Sequence, residues 1–276
     1  MNASTLARIM NRLLLALLLM TASSSQASEP LIVAHRGASK DAPENTIPAF
    51  KLAWEQGADA IEGDFFLTAD GQIVCIHDKN TKKLAGKELI VAESTFSELQ
   101  ALDVGAWHSA RYKGAGIPTI AEVFATIPPE KKIYIEVKCG PEIMPALLKE
   151  IKASGLNDEQ IVVIAFDAEV IRAVKTQAPQ FKANWLSGFE KLVVGDIKPT
   201  PAEVLEVLKD IGADGFSSSN KHISGDYIKT ILDAGYEYHV WTVDDPKEAE
   251  RFKDWGTMSI TTNVPGVIRK NLEKGF

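Results

Sequence analysis

The run Asp59-Ala60-Ile61-Glu62-Gly63-Asp64-Phe65-Phe66, the link Thr68-Ala69-Asp70-Gly71-Gln72 and the run Ile73-Val74-Cys75-Ile76-His77 decide the fold of this chain. Two apolar segments this close together cannot be parallel neighbours, because a parallel crossover consumes a dozen or more residues. Asp70-Gly71 is instead a tight-turn signal, so residues 59–66 and 73–77 are expected to form an antiparallel hairpin. Folding about that pair places Asp64 roughly opposite His77. Seven further apolar or β-branched runs lie at 31–35, 132–138, 161–166, 182–187, 213–217, 237–243 and 258–262. Segments of helical period at 47–56, 120–127, 142–154, 167–177, 201–211, 224–234 and 245–254 separate them. Strand alternating with helix is the pattern of βα units around a parallel sheet. With the returning hairpin strand set aside, eight parallel strands remain. The expected architecture is therefore α/β, a (β/α)8 TIM barrel with an extra β-hairpin strand.

Residues 79–118 break the alternation. The stretch 80–92 is polar and rich in lysine, Ser94-Thr95-Phe96-Ser97-Glu98-Leu99 has the capping pattern of a short helix, and 103–117 holds three glycines with Trp107 and Tyr112. This is expected to be a small insertion over the mouth of the barrel, with Lys79, Lys82, Lys83 and Lys87 solvated.

At the amino end, Arg8 and Arg12 precede an apolar run at 13–20 and the small-x-small site Ser25-Gln26-Ala27, which together predict a signal peptide over 1–27. The run is short of the ~20 residues a membrane span needs. Residues 28–276 then form one barrel domain, exported to a periplasm or secreted, with no stable membrane span. Losing Arg8 and Arg12 takes the formal charge from −7 to −9. That acidity argues against nucleic acid as a partner and makes any anion site depend on local cations. Cys75 and Cys139 are expected to be free thiols, with Cys75 on the face of His77. Nothing in the sequence sets the oligomeric state.

Four polar clusters fall at strand ends: His35-Arg36, Glu62-Gly63-Asp64, His77-Asp78 and Glu136-Val137-Lys138. The carboxyl ends of barrel strands are where sites are built. A spacing of two puts Glu62 with Asp64, and Glu136 with Lys138, on one strand face. Charges on an inner face are costly unless paired or bound to a metal. Glu62, Asp64 and Glu136 make a hard all-oxygen set suited to Ca²⁺ or Mg²⁺, with Ca²⁺ favoured, whereas Zn²⁺ would be expected to recruit His35 or His77. Arg36 and Lys138 supply positive charge for a phosphate. His35 and His77 are left as a general base and a general acid on opposite sides of phosphorus. These groups converge on phosphodiester cleavage. A glycosidase would give the His-Arg and Glu-x-Lys clusters no work.

His35-Arg36-Gly37, Pro43-Glu44-Asn45-Thr46, Glu62-x-Asp64, Asp70-Gly71 followed by His77-Asp78, Ile117-Pro118, Ile135-Glu136-Val137-Lys138 and Trp241-Thr242-Val243 together resemble the glycerophosphodiester phosphodiesterase family, in order and across residues 31–268. The resemblance implies a phospholipase C-like barrel that hydrolyses small glycerophosphodiesters to glycerol 3-phosphate and an alcohol with one divalent cation. It implies that His35 and His77 are the acid/base pair, that Arg36 and Lys138 contact phosphate, and that Glu62, Asp64 and Glu136 hold the metal. Attack by the substrate's own 2-hydroxyl, giving a cyclic phosphate, and direct attack by water are the two open routes. Lysophospholipase D or phosphoinositide-type cleavage would need an apolar slot or a membrane-facing insertion. A non-catalytic binder of phosphorylated ligands would not need two histidines.

Among the remaining residues, Trp241 is placed either against the glycerol backbone or in the core. His239 on its face is expected to be a satisfied core histidine. Glu44 is given a structural role and Asn45 or Thr46 the cap of the helix at 47–56. Phe65, Phe66, Phe166 and Trp185, near strand ends, are placed either along the pocket or in the core, with core the favoured reading for each, and His108 and His222 are expected in solvent. Asn263, where the family often has an acid, and Gly63, between the two acids, are expected to touch neither the metal nor the acid/base groups.

Overall fold

A computed structural model describes residues 29–191 and 197–275. The signal sequence expected at 1–27 lies outside the described residues. In chain order the strands are β1 (Leu31–His35), β2 (Ala60–Leu67), β3 (Ile73–Cys75), β4 (Lys132–Val137), β5 (Ile161–Ala165), β6 (Lys182–Ser187), β7 (Glu190–Lys191), β8 (Ile197–Lys198), β9 (Gly215–Ser219), β10 (Glu237–Trp241) and β11 (Ser259–Thr262). The main sheet runs β1-β11-β10-β9-β6-β5-β4-β2, and a β1–β2 pairing closes it into a barrel of eight parallel strands. Helices Ile47–Glu55, Ile120–Phe124, Met144–Ser154, Ala168–Gln177, Pro201–Ile211, Gly225–Asp233 and Pro246–Asp254 lie between barrel strands, and Pro265–Leu272 follows the last one. None of the described helices is long and apolar enough to cross a membrane.

Alternation along the strands sorts the side chains. Ile32, Ala34, Ile61, Phe65, Ile133, Ile135, Val163, Phe216, Tyr238, Val240 and Ile260 share one large core with the helices. Val33, Ala60, Tyr134, Val162, Ile164 and Leu186 form an apolar cluster in the lumen. Below it His239 is buried and satisfied, with Nε2 3.0 Å from Asn184 Nδ2 and Nδ1 2.8 Å from Ser259 Oγ.

β3 is the expected antiparallel addition to β2, but one residue out of register. Thr68 and Gln72 close a three-residue loop, Thr68 N donating to Gln72 O at 2.9 Å, with Gly71 at φ 77°. A three-residue loop ending in a left-handed glycine shifts the pairing by one relative to a two-residue turn on Asp70-Gly71. Asp64 therefore faces Ile76, whose N–H donates to Asp64 O at 2.9 Å, rather than His77. The strand ends at Cys75, so the alternation that put Cys75 and His77 on one face does not continue. Cys75 is buried, its Sγ 3.2 Å from Asn45 Oδ1. A Cβ on Gly63 would come within 3.1 Å of that sulfur, which explains a glycine there. Both cysteines are free thiols.

The insertion has a core of its own. Val74, Ile76, Leu84, Val91, Leu99, Val104 and Ile117 cluster between β3 and the short helices Lys82–Ala85 and Phe96–Gln100, the second capped by the reciprocal Thr95/Glu98 bonds. Cys75 N donates to Pro118 O at 2.9 Å, which ties the insertion's exit to the hairpin. Its lysines Lys79, Lys82, Lys83 and Lys87 are exposed as expected, Lys82 pairing at the surface with Glu88 and Lys83 with Glu44.

Elsewhere β9 starts and ends two residues later than expected, and β10 stops at Trp241. Polar Ser217-Ser218-Ser219 is strand because parallel ladders on both sides complete its backbone bonds, an effect that outweighs side-chain polarity.

The loop from β1 to the first helix is tightly held. Gly37 has φ 80°, and a Cβ there would lie 2.5 Å from Ala49 C. Thr46 caps the helix, accepting from Ala49 N at 3.4 Å. Gly37→Ala is expected to cost roughly 2 kcal/mol or more, from left-handed strain and overlap with backbone together. Urea unfolding checks this, and a midpoint equal to that of the wild type would contradict it.

Candidate active site

The barrel register assembles the acids. β2 aligns Asp64 with Glu136 of β4, and β1 aligns His35 with Glu62. One oxygen from each of Glu62, Asp64 and Glu136 lies within 4.8 Å of the others. All three residues are buried, at 2%, 1% and 8% exposure. Arg36 Nε sits 3.2 Å from Asp64 Oδ2, and Lys138 Nζ is 2.7 Å from Glu136 Oε1 and 3.4 Å from Asp64 Oδ1. Glu62 Oε2 accepts the Arg36 backbone N–H at 2.9 Å, while its Oε1 is buried with no hydrogen-bond partner.

Three carboxylates thus share two cations, and their ionisation divides accordingly. Burial, Asp64 and Glu136 hold Glu62 well above the usual carboxylate range. Burial and Asp64 push Glu136 up to about 7 against the pull of Lys138. Burial also opposes ionisation of Asp64, but Arg36 and Lys138 outweigh it and keep that acid below its ordinary value. The residues fit a divalent cation. A spread of up to 4.8 Å among three hard oxygens, one without a partner, suits a central ion with oxygen ligands at about 2.3–2.6 Å.

Both histidines line the same cavity, of about 140 Å³, with Arg36, Glu62, Glu136 and Lys138; Ile164, Phe166, Trp241, Thr242 and Thr261 complete its wall. His35 Nδ1 lies 2.7 Å from Asn263 Oδ1, and His77 Nδ1 lies 2.7 Å from Asp78 Oδ1. Burial and the Arg36 charge lower the pKa of His35, against the hydrogen bond to Asn263 Oδ1. Asp64 is gripped from behind by Asn45, whose Nδ2 donates to Oδ2 at 2.8 Å and whose Oδ1 accepts the Asp64 N–H at 3.2 Å.

The structure therefore gathers His35, His77, Arg36, Lys138, Trp241, Glu62, Asp64 and Glu136 around one site. Several expectations need correction. Asn263 does touch His35, one of the two histidines expected to be acid/base groups. Of the two places open to Phe166, the structure gives the pocket wall and not the core: it is 48% exposed, with its ring edge-on to Trp241 at 5.6 Å. His108 is wedged between the rings of Trp107 and Tyr112, each at 5.6 Å. Glu44 pairs with Arg36 at 3.2 Å, in keeping with a structural role. Thr46 supplies the helix cap, while Asn45, at φ 57°, turns its amide onto Asp64. Asn45 and Asp78 are the contacts that sequence reasoning missed, although each directly follows a residue it had singled out.

A model of the glycerophosphoryl diester phosphodiesterase family matches residues 35–267. A glycerophosphodiester phosphodiesterase of Caldanaerobacter subterraneus is 33% identical over 250 residues, covering 89% of this chain and 98% of that protein. Another, from Bacillus subtilis, is 27% identical over 263 residues, covering 89% and 87%. Among solved structures, an Oleispira antarctica phosphodiesterase in complex with the product sn-glycerol-3-phosphate has the same fold, with a TM-score of 0.81 at 24% identity over 88% of this chain and 97% of that one.

The crowded carboxylates set a pH dependence for the metal-free protein. Glu136 is pushed up to about 7 from an ordinary value of 4.5, so between these values the folded state holds the proton more tightly than the unfolded state. Its contribution to stability is therefore lost as pH rises from about 5 to 8, by up to about 3 kcal/mol. In chelator, Glu136→Gln is expected to stabilise the protein more at pH 8 than at pH 5, as read by thermal unfolding. An equal effect at the two pH values would contradict this.

Proposed function

The chain belongs to the glycerophosphoryl diester phosphodiesterase family, and we propose that it is an exported, divalent-metal-dependent enzyme that hydrolyses glycerophosphodiesters to glycerol 3-phosphate and an alcohol. The observation that carries this reading is the convergence, in one cavity, of a buried three-carboxylate cluster and two histidines each anchored through Nδ1. A ligand-binding protein needs the first of these and has no use for the second.

A divalent cation on Glu62, Asp64 and Glu136 would supply Lewis-acid polarisation of a phosphoryl oxygen. Ca²⁺ is favoured over Mg²⁺ because Ca²⁺ accepts carboxylate oxygens in flexible geometry, whereas Mg²⁺ demands a near-ideal octahedron and usually keeps several waters. Arg36 and Lys138, fixed by their ion pairs to Asp64 and Glu136, offer their remaining N–H groups to the phosphate. With Nδ1 of each ring occupied, one histidine takes the proton of the attacking oxygen through Nε2. The other delivers a proton to the departing alcohol, and the roles then exchange. Attack by the neighbouring 2-hydroxyl of the glycerol is the preferred first step, since that nucleophile is delivered with the substrate. Trp241 and Phe166 form an apolar wall for the glycerol carbons, and the Trp241 Nε1–H, buried without a partner, is a donor for a glycerol hydroxyl.

The cavity is smaller than the roughly 300–1,000 Å³ of pockets for drug-sized ligands. That favours small polar head groups over a lysolipid chain. Export rests on the pattern of Arg8, Arg12, the apolar run 13–20 and Ala27, and leaves 28–276 as the working domain. Mass spectrometry of the exported protein is expected to find Ser28 at its amino end, and an intact Met1 would contradict this. Purified protein with Ca²⁺ or Mg²⁺ is expected to release glycerol 3-phosphate from glycerophosphocholine or glycerophosphoethanolamine, and chelator to abolish release. His35→Ala and His77→Ala should each lower kcat by roughly 10²–10⁴-fold with the fold intact. The reading fails if no glycerol 3-phosphate appears with either metal, or if His35→Ala turns over at the wild-type rate.

A further inference from the structure

We propose that Asn263 and Asp244 are positioning residues that hold His35 in the tautomer carrying its hydrogen on Nδ1, so that Nε2 is the ring's free acceptor. The proposal rests on the reading of His35 as one of the two proton carriers. Asn263 lies just after β11 and Asp244 in the loop after β10, so two neighbouring barrel loops act on a ring at the end of β1.

The orientation of the Asn263 amide follows from its partners. Its Nδ2 is 2.7 Å from Asp244 Oδ2. A carboxylate only accepts, so the amide NH₂ must face Asp244 and the amide oxygen must face the other way. On that side Oδ1 meets His35 Nδ1 at 2.7 Å and Ser39 Oγ at 2.8 Å. An amide oxygen also only accepts, so His35 Nδ1 must be the donor. Asp244 is itself fixed: its Oδ1 accepts from Asn263 N at 2.8 Å and from Thr262 Oγ1 at 3.0 Å. The chain of directions therefore runs from a backbone-anchored carboxylate, through one amide, to one ring hydrogen.

The pair is matched. An aspartate at position 263 would set two carboxylates against each other across a 2.7 Å contact, so an acid there is compatible only with a different residue at 244. His77 is held in the same sense, since the Asp78 carboxylate also only accepts and so takes its hydrogen bond from His77 Nδ1.

Asp244→Asn is the discriminating change. The new amide keeps its oxygen on the Asn263 backbone N–H and so turns its NH₂ toward the Asn263 NH₂. Two donors cannot pair, and Asn263 must flip, presenting Nδ2 to His35 Nδ1. The ring then has to accept at Nδ1 and carry its hydrogen on Nε2. The double variant Asp244→Asn with Asn263→Asp restores the direction. The carboxylate then at position 263 accepts both from the amide at position 244 and from His35 Nδ1.

The experiment reads the His35 ring nitrogens by ¹⁵N NMR in wild type, the single variant and the double variant, with the signals assigned by their loss in His35→Gln, alongside kcat and KM on glycerophosphocholine. The single variant is expected to switch from the Nδ1–H to the Nε2–H pattern and to lose about 100-fold or more in kcat with KM within about threefold. The double variant is expected to recover the Nδ1–H pattern and most of kcat. A purely structural role would move the melting temperature of the single variant and leave the tautomer alone. The proposal is overturned if the single variant keeps Nδ1–H with kcat within about threefold of wild type, or if the folded double variant stays on the Nε2–H pattern. Should wild type itself show no turnover, the functional reading fails, and the ring spectra still decide the proposal.

Discussion

Three carboxylates buried against one another at the open end of the lumen are the constraint on which the rest of the structure depends. Burying like charges in a protein interior is expensive, and removing a partner from such a group costs more than the pair contributes. The layer beneath, Val33, Ala60, Tyr134, Val162, Ile164 and Leu186, shows that this barrel closes perfectly well on apolar side chains. Glu62, Asp64 and Glu136 are therefore not what the fold wants for its own stability. Arg36, Lys138 and Asn45 exist in their observed positions to make the cluster tolerable, and they do so incompletely, leaving Glu62 Oε1 without a partner. A site short of one positive charge is one that a divalent cation fits.

The same cluster explains the outworks. Arg36 and Asn45 both adopt left-handed backbone, and Asn45 N donates to Arg36 O at 3.0 Å, so the loop between them is folded back on itself to aim both side chains at Asp64. His77 lies just past the end of β3, a strand that belongs to no barrel position. That strand is clamped between β2 on one side and the insertion's own core on the other, through Val74 and Ile76. An exposed loop carrying His77 would leave the ring to wander, whereas a packed hairpin gives it a fixed origin. The insertion thus braces the hairpin from which His77 reaches the cavity.

How much of this was legible in the sequence follows from the range of each interaction. The acids and Lys138 could be read because they sit in or beside strands, where a spacing of two fixes the face whatever the surroundings. The barrel could be read because the Asp70-Gly71 turn removed one strand from nine. The register of that hairpin could not, since two- and three-residue loops share the Asp-Gly signature and differ only in which residue takes the positive φ. The role of Asn263 was hidden for a different reason. It is a hydrogen bond made from a loop onto a ring 228 residues away, a contact no local pattern announces. Phe166 read as core because it ends an apolar run, yet it lies one residue past the end of β5, where the wall of the barrel gives way to the rim.

The missing positive charge can be measured directly. Chelator-treated protein titrated calorimetrically with Ca²⁺ near pH 6.5, in buffers of different ionisation enthalpy, reports both the number of ions bound and the protons displaced. The expected result is one ion per chain, with about one proton or more released, because burial and crowding keep Glu62 and Glu136 protonated until the ion arrives. Binding that releases no proton, or that survives Glu62→Gln undiminished, would contradict it.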